Sequence, residues 1–84
     1  MATFDGAHEY GVTYSHSSVN TGGLVEGPFD SAWDAHNRGC DVREAQPGID
    51  YAIVRRPVGS GRDAWASIDG SQTLAQVRAR RWAA

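Results

Sequence analysis

The chain has 84 residues, which is enough for one small domain with a thin core. A hydrophobic fraction of 40% and a charged fraction of 21% are ordinary for a folded domain and argue against wholesale disorder. A net charge of −2 argues against both a strongly basic nucleic-acid coat and a densely acidic DNA mimic. The basic residues are all arginines, a bias that indicates a GC-rich genome before it indicates phosphate recognition.

No targeting or membrane signal is visible in the sequence. Cys40 is the single cysteine, so no internal disulfide can form. The first residues lack the basic and apolar regions of a signal peptide, and no segment approaches the roughly 20 apolar residues of a membrane span. We therefore expect a cytoplasmic protein with one domain over residues 1–84, beginning with a short leader at 1–7.

The clearest strand signal lies near the N-terminus, where apolar and polar residues alternate. Tyr10, Val12 and Tyr14 share one face, and the residues between them are polar or small. This pattern predicts a strand with one face in the core and one face in water. A polar loop over 15–23 follows, and a short second strand is predicted at 24–26, ended by a Gly-Pro pair.

A short helix is predicted next in the chain. Asp30 or Ser31 can cap its N-terminus, and Asp34 is spaced from Ser31 as in a capping box. Gly39 is a typical residue beyond a helix C-terminus, so we expect the helix to end there after two to three turns. A helix this short needs tertiary packing, which we expect Trp33, together with His36 or the neighbours of Asn37, to provide.

The second half of the chain predicts two strands and a helix. Residues 51–56 form an almost continuous apolar run that reads as the most buried strand, and residues 64–68 return as another. Residues 71–84 have helical composition and carry an Arg/Trp tail. The predicted order is β-β-α-β-β-α, an α+β domain with a small antiparallel sheet of three to four strands, a central short helix and a C-terminal helix, both helices packing on one face.

The arginines suggest a contact surface. Three Arg and a Trp at the C-terminus can pair with phosphates or carboxylates and stack on a ring, although the same residues suit a solvated helix end. Because successive strand residues face opposite ways, only one of Arg55 and Arg56 can join this surface, and the other is expected to pair with an acid such as Glu26. The predicted partner-binding residues are Arg56, Arg78, Arg80, Arg81 and Trp82.

The candidates for metal binding or catalysis are weak. His36 and Cys40 are spaced i, i+4, and His8 and His16 could in principle complete a zinc site, but no Cys-x-x-Cys pair exists. For nucleophilic chemistry the sequence places no third group to orient His36. We therefore predict no enzyme activity, no metal and no cofactor.

Three segments carry a resemblance to a family: Glu9–Tyr14, Val25–Ser31 and Tyr51–Arg56. They resemble small orphan proteins of phages that infect high-GC actinobacteria such as mycobacteria. Those proteins show a Tyr-Gly-Val strand, a Gly-Pro-Phe entry into a short helix and a Val-Arg-Arg strand. The resemblance implies a phage accessory protein in the host cytoplasm that binds a host or phage protein; it implies no catalytic residue, and the Arg-rich tail lies outside the shared pattern.

The leading functional prediction is a non-enzymatic protein-interaction module. Aromatic residues beside arginines are typical of interfaces, and the chain has no recognisable catalytic set. Self-association through an exposed strand edge is also compatible with the sequence. The alternatives are a nucleic-acid-binding protein that uses the Arg/Trp helix and a minor structural component of a virion.

Overall fold

The structure is a computed structural model that describes residues 7–15 and 24–82, and of residues 81 and 82 it describes the backbone alone. Most of the predicted leader and of the predicted polar loop lies outside these residues. The elements are β1 (His8–Tyr14), β2 (Glu26–Phe29), α1 (Ala32–Ala45), β3 (Tyr51–Pro57), β4 (Ala66–Ser67) and α2 (Leu74–Trp82), with a 3₁₀ turn at Arg62–Ala64 before β4. The predicted order and the α+β class are confirmed. No helix among the described residues is long and apolar enough to cross a membrane.

The strands form one antiparallel sheet in the order β2-β1-β3-β4. The two central strands, β1 and β3, pair along their whole lengths, from His8 opposite Pro57 to Tyr14 opposite Tyr51. The edge strands are short: β4 pairs with β3 only at Val54 and at the residue that follows it. The β1–β3 pair therefore makes more contacts than any other pair of elements.

Both faces of this sheet are covered. Tyr14 and Tyr51 are opposite each other and point toward α1, whereas their neighbours Thr13 and Ala52 point toward α2. The cluster beneath α1 consists of Tyr10, Val12, Tyr14, Ala35, Val42, Ile49 and Tyr51, and the cluster on the other face consists of Ala52, Val54, Trp65 and Val77. The expectation of a water-facing polar side and of helices on one face is wrong, because Thr13 has no exposed surface.

Helix α1 begins as predicted but ends later. Ser31 is the N-cap, and its hydroxyl oxygen accepts a hydrogen bond from the Asp34 backbone N–H at 3.2 Å. The predicted end at Gly39 is wrong, because the helix continues to Ala45. Gly39 is buried within the helix, and a Cβ at this position would lie 2.6 Å from Cε2 of Tyr51. The glycine allows the helix to approach the sheet closely instead of ending it.

Two further local predictions are wrong. Strand β2 runs through the Gly-Pro pair instead of stopping before it, because β2 is an edge strand and tolerates the missing N–H of Pro28. Trp33 does not hold α1 to the sheet, since 55% of its surface is exposed. Ala35, Gly39 and Val42 are the buried residues of the helix, and their small side chains suit a close approach to the sheet.

A carboxylate clamp fastens α1 to the first two strands. Arg38 donates from Nε to Oε1 of Glu26 at 2.7 Å and from Nη2 to Oε2 at 3.2 Å. The Tyr14 hydroxyl donates to the same Oε1 at 2.8 Å. Arg38 lowers the pKa of Glu26, and burial together with the Glu26 carboxylate raises the pKa of Tyr14. One of the two neighbouring β3 arginines pairs with an acid on an adjacent strand, as predicted, but Arg56 pairs with Glu9 of β1 and not with Glu26.

Substitution of Gly39 by Ala tests the close approach of α1 to Tyr51. Gly→Ala inside a helix ordinarily stabilises a protein by about 0.5–1 kcal/mol. Here the added methyl group would overlap the Tyr51 ring, so we expect a loss of about 1–3 kcal/mol in the free energy of unfolding, measured by urea denaturation. Gly61→Ala is the matched control, because nothing lies within 4 Å of that Cβ. A Gly39→Ala variant as stable as this control would contradict the packing.

Substitution of Glu26 by Gln tests the clamp. Arg38 is 46% exposed, so solvent weakens the ion pair, and we expect a loss of about 1–2 kcal/mol at pH 7. Because the folded pKa of Glu26 is lowered, its contribution is full above its ordinary value of 4.5 and is lost as the pH falls through the lower folded value. Urea unfolding of wild type and variant should therefore differ at pH 7 and converge in acid. The exposed Glu44→Gln should show no difference at pH 7.

Candidate functional site

A cleft opens beside the first half of β3, between α1 and α2, with a volume of about 570 Å³. Strand β4 pairs with β3 only at Val54 and Arg55, so within the described part of the chain no strand lies along the edge of β3 before Val54. The short β4 thus leaves space that the two helices border. The cleft is lined by His36, Arg43, Tyr51, Ala52, Ile53, Ser67, Ile68, Gln72, Val77 and Arg80.

The cleft combines an apolar floor with basic walls. The buried apolar lining, here called the floor, consists of Tyr51 on the α1 side of β3 and of Ala52 and Val77 on its α2 side, because the cleft passes around the strand edge. Ile68 at the rim is 42% exposed. Arg43 from α1 and Arg80 from α2 supply positive charge. Among the described residues that line the cleft, none carries a carboxylate. This lining suits a ligand with apolar groups and negative charge.

The two cleft arginines differ in their surroundings. The guanidinium of Arg43 lies over the Tyr51 ring, 5.1 Å from its centroid, so the floor itself orients this charge. Arg80 is exposed, and none of the ion pairs between described residues involves it. Neither charge is neutralised by a carboxylate from the described part of the fold, so both can attract an anionic group.

The fold uses two of the predicted partner-binding residues for its own contacts. Arg56 donates from Nε to Oε2 of Glu9 at 2.6 Å, and its guanidinium lies 4.3 Å from the Trp65 ring centroid. Arg78 donates from Nη1 to the Thr13 hydroxyl and to the Tyr14 backbone carbonyl. These contacts attach side chains to the α2 face of the sheet.

Side chains are described for three of the predicted partner-binding residues, Arg56, Arg78 and Arg80. Of these three, only Arg80 borders the cleft. The backbone of Arg81 and Trp82 completes α2, and their side chains lie outside the described structure. A capping box begins the helix, because Gln76 N–H donates to Oγ1 of Thr73 and Thr73 N–H donates to Oε1 of Gln76.

A cluster of three polar side chains lies at the α1 border of the cleft. The Tyr51 hydroxyl lies 2.9 Å from Nδ1 of His36 and 3.2 Å from Sγ of Cys40. His36 Nε2 and Cys40 Sγ are 3.6 Å apart. The sequence suggested the His36–Cys40 pair but missed Tyr51. The one feature of the sequence that could have indicated Tyr51 is its position in a buried strand, where a tyrosine hydroxyl needs a hydrogen-bond partner.

The other predicted ligands do not join this pair. His8 begins β1, and His16 lies outside the described residues. Within residues 7–15 and 24–82, no three or more His, Cys, Asp or Glu side chains are grouped as a metal site. The described residues therefore place two side chains that can bind a metal, His36 and Cys40, beside the Tyr51 hydroxyl.

Comparison with known proteins adds no relative. No protein-family model matches the chain, and searches of curated proteins and of solved structures found no match.

Comparison of Arg78→Ala with Arg80→Ala separates a structural arginine from a cleft arginine. Loss of the charged hydrogen bonds of Arg78 to Thr13 and to the Tyr14 carbonyl is expected to cost about 1.5–3 kcal/mol. Arg80→Ala removes no such bond and should change stability by less than about 0.5 kcal/mol. Thermal and urea unfolding of both variants measure the difference. Equal effects in the two variants would contradict the structural role of Arg78.

Proposed function

We propose that this chain is a non-enzymatic protein-interaction module that binds an acidic, extended segment of another protein in the cleft. The observation that carries the proposal is the combination of Arg43 and Arg80 with an apolar floor and a carboxylate-free lining. An acidic segment would place its carboxylates against the two guanidinium groups and its apolar side chains against Tyr51 and Val77.

The open edge of β3 supports an extended form for the segment. A peptide can add to a sheet edge through main-chain hydrogen bonds, and alternate side chains then enter pockets on either side. Tyr51, Ala52 and Ile53 all border the cleft, which gives about 10 Å of strand at roughly 3.3 Å per residue. The Tyr51 backbone N–H donates to Oδ1 of Asp50 at 2.9 Å, so a bound segment would make its main-chain contacts beyond this N–H. A bound partner segment would therefore lie along β3 next to β4 and continue the sheet at that edge.

The distribution of charge favours a protein partner over nucleic acid. A nucleic-acid interface needs a continuous basic surface. Arg38 and Arg56 are neutralised by Glu26 and Glu9, and the overall net charge is −2. The positive charge that is left at the cleft is local, which suits selection of a short acidic segment. The phage origin, the host-cell cytoplasm and a host or phage partner stay predictions from the sequence.

Selection of peptides from a displayed random library tests the proposed ligand chemistry. Wild type should enrich peptides in which Asp or Glu flank apolar residues. The double variant Arg43→Glu, Arg80→Glu should lose those peptides, with binding at least about 10-fold weaker, and should enrich peptides with Lys or Arg instead. Fluorescence anisotropy of the selected peptides measures the change. No enrichment by the wild type, or the same peptides for both proteins, would overturn the proposal.

Two controls locate the binding and test the alternative. A photo-crosslinking residue at Ile68, on the cleft rim, should label the selected peptide, whereas the same residue at Val58 should not, because Val58 is 55% exposed but does not line the cleft. A single-stranded oligonucleotide serves as the competing ligand. Salt-sensitive oligonucleotide binding without peptide binding would favour the nucleic-acid alternative.

A further inference from the structure

The cleft passes around the edge of β3, so a segment bound there has one cleft arginine on each side of it. We propose that the ligand is an extended segment whose two acidic residues are one or three positions apart, and not two. With that spacing one carboxylate pairs with Arg43 and the other with Arg80. This inference rests on the proposed function, because it specifies the ligand of the same cleft.

The side chains of β3 alternate between two halves of the cleft. Tyr51 belongs to the apolar cluster beneath α1, and Ile53 packs against the same cluster. Ala52, which lies between them, belongs with Val77 to the cluster on the other face. All four residues line the cleft, so the sheet divides it into an α1 half and an α2 half.

The two arginines lie in different halves. Arg43 extends from α1, and its guanidinium lies 5.1 Å from the centroid of the Tyr51 ring, in the α1 half. Arg80 is on α2, three residues after Val77 and therefore on the same side of that helix, in the α2 half. Both arginines are exposed. The positive charge of the cleft is thus divided between the two faces of the sheet.

The hydrogen bonds at the start of β3 indicate which main-chain groups face the cleft. Ser15 N–H donates to the Asp50 carbonyl at 2.9 Å, and Asp50 N–H donates to Oγ of Ser15 at 3.0 Å, so Asp50 bonds toward β1. Tyr51 N–H donates instead to Oδ1 of Asp50. Because bonding direction alternates along an antiparallel strand, Ala52 bonds toward β1 and Ile53 faces away from it. The main-chain pairing of a bound segment is therefore centred on Ile53.

A segment paired in this way distributes its own side chains between the same two halves. Its residues opposite Tyr51 and Ile53 enter the α1 half, and its residue opposite Ala52 enters the α2 half. Acidic residues one or three positions apart therefore reach one arginine each. Acidic residues two positions apart enter the same half, where they repel each other and leave the second arginine without a carboxylate. This rule holds for either chain direction, because side chains alternate in both.

Four fluorescent peptides of identical composition test the spacing rule. Each contains two Glu in a background of Val, Thr and Ser, and the two Glu are one, two, three or four positions apart. Net charge is constant, so differences in affinity report geometry and not overall attraction. Anisotropy titrations should show binding about 5-fold or more tighter for spacings of one and three than for spacings of two and four.

Three variants assign the two halves. Arg43→Gln and Arg80→Gln, with folding checked by circular dichroism, should each weaken the odd-spaced peptides about 5-fold and remove the preference for odd spacing, because one arginine then remains. Arg62→Gln is the matched control, since Arg62 is exposed but does not line the cleft, and it should change neither affinity nor preference.

The outcomes separate this inference from the proposed function. Equal affinity of the wild type for odd and even spacings, with binding still lost in the double variant Arg43→Glu, Arg80→Glu, would overturn the spacing rule and retain the acidic ligand. An odd-spacing preference that persists in Arg43→Gln or in Arg80→Gln would also overturn the rule. Failure of the wild type to bind any of the acidic peptides would overturn both proposals.

Discussion

The contact between Gly39 and the Tyr51 ring determines how the rest of the molecule is arranged. A side chain at Gly39 would collide with the ring, so this one helical position sets how closely α1 lies on the sheet. At that separation the Tyr51 hydroxyl reaches His36 and Cys40, and Arg43 lies over the ring. The same ring forms part of the cleft floor. The helix position, the polar cluster and one basic wall are thus consequences of a single close approach.

The small size of the chain explains why both faces of the sheet are covered. A domain of 84 residues buries little apolar surface in any one layer. If one face of the sheet were exposed to solvent, the apolar side chains on that face would not contribute to the core. Trp65 and Val77 cover the second face, where Thr13 is completely buried and its hydroxyl accepts a hydrogen bond from Arg78. Arg56 lies over the Trp65 ring and also pairs with Glu9. An ion pair therefore borders the apolar cluster on this second face.

The sequence was informative where the determining interactions are local. Alternation predicted β1, and the cap at Ser31 was visible as a spacing of three residues. It misled at Gly39 and at Thr13, because the outcome at each position depends on an element distant in the chain. A glycine that ends a helix and a glycine that admits an aromatic ring look the same in one sequence. The cleft depends on where a short β4 stops, and no local pattern encodes that.

The arginines show why composition predicts a binding surface poorly. All eight basic residues are arginine, yet the role of each depends on the residues that surround it. Arg38 and Arg56 form ion pairs with carboxylates. Arg78 donates hydrogen bonds to a hydroxyl group and to a backbone carbonyl. Arg43 and Arg80 meet no carboxylate among the described residues that line the cleft. A chain with a net charge of −2 can therefore still present a basic cleft, because pairing within the fold, and not the total, decides which charges face a ligand.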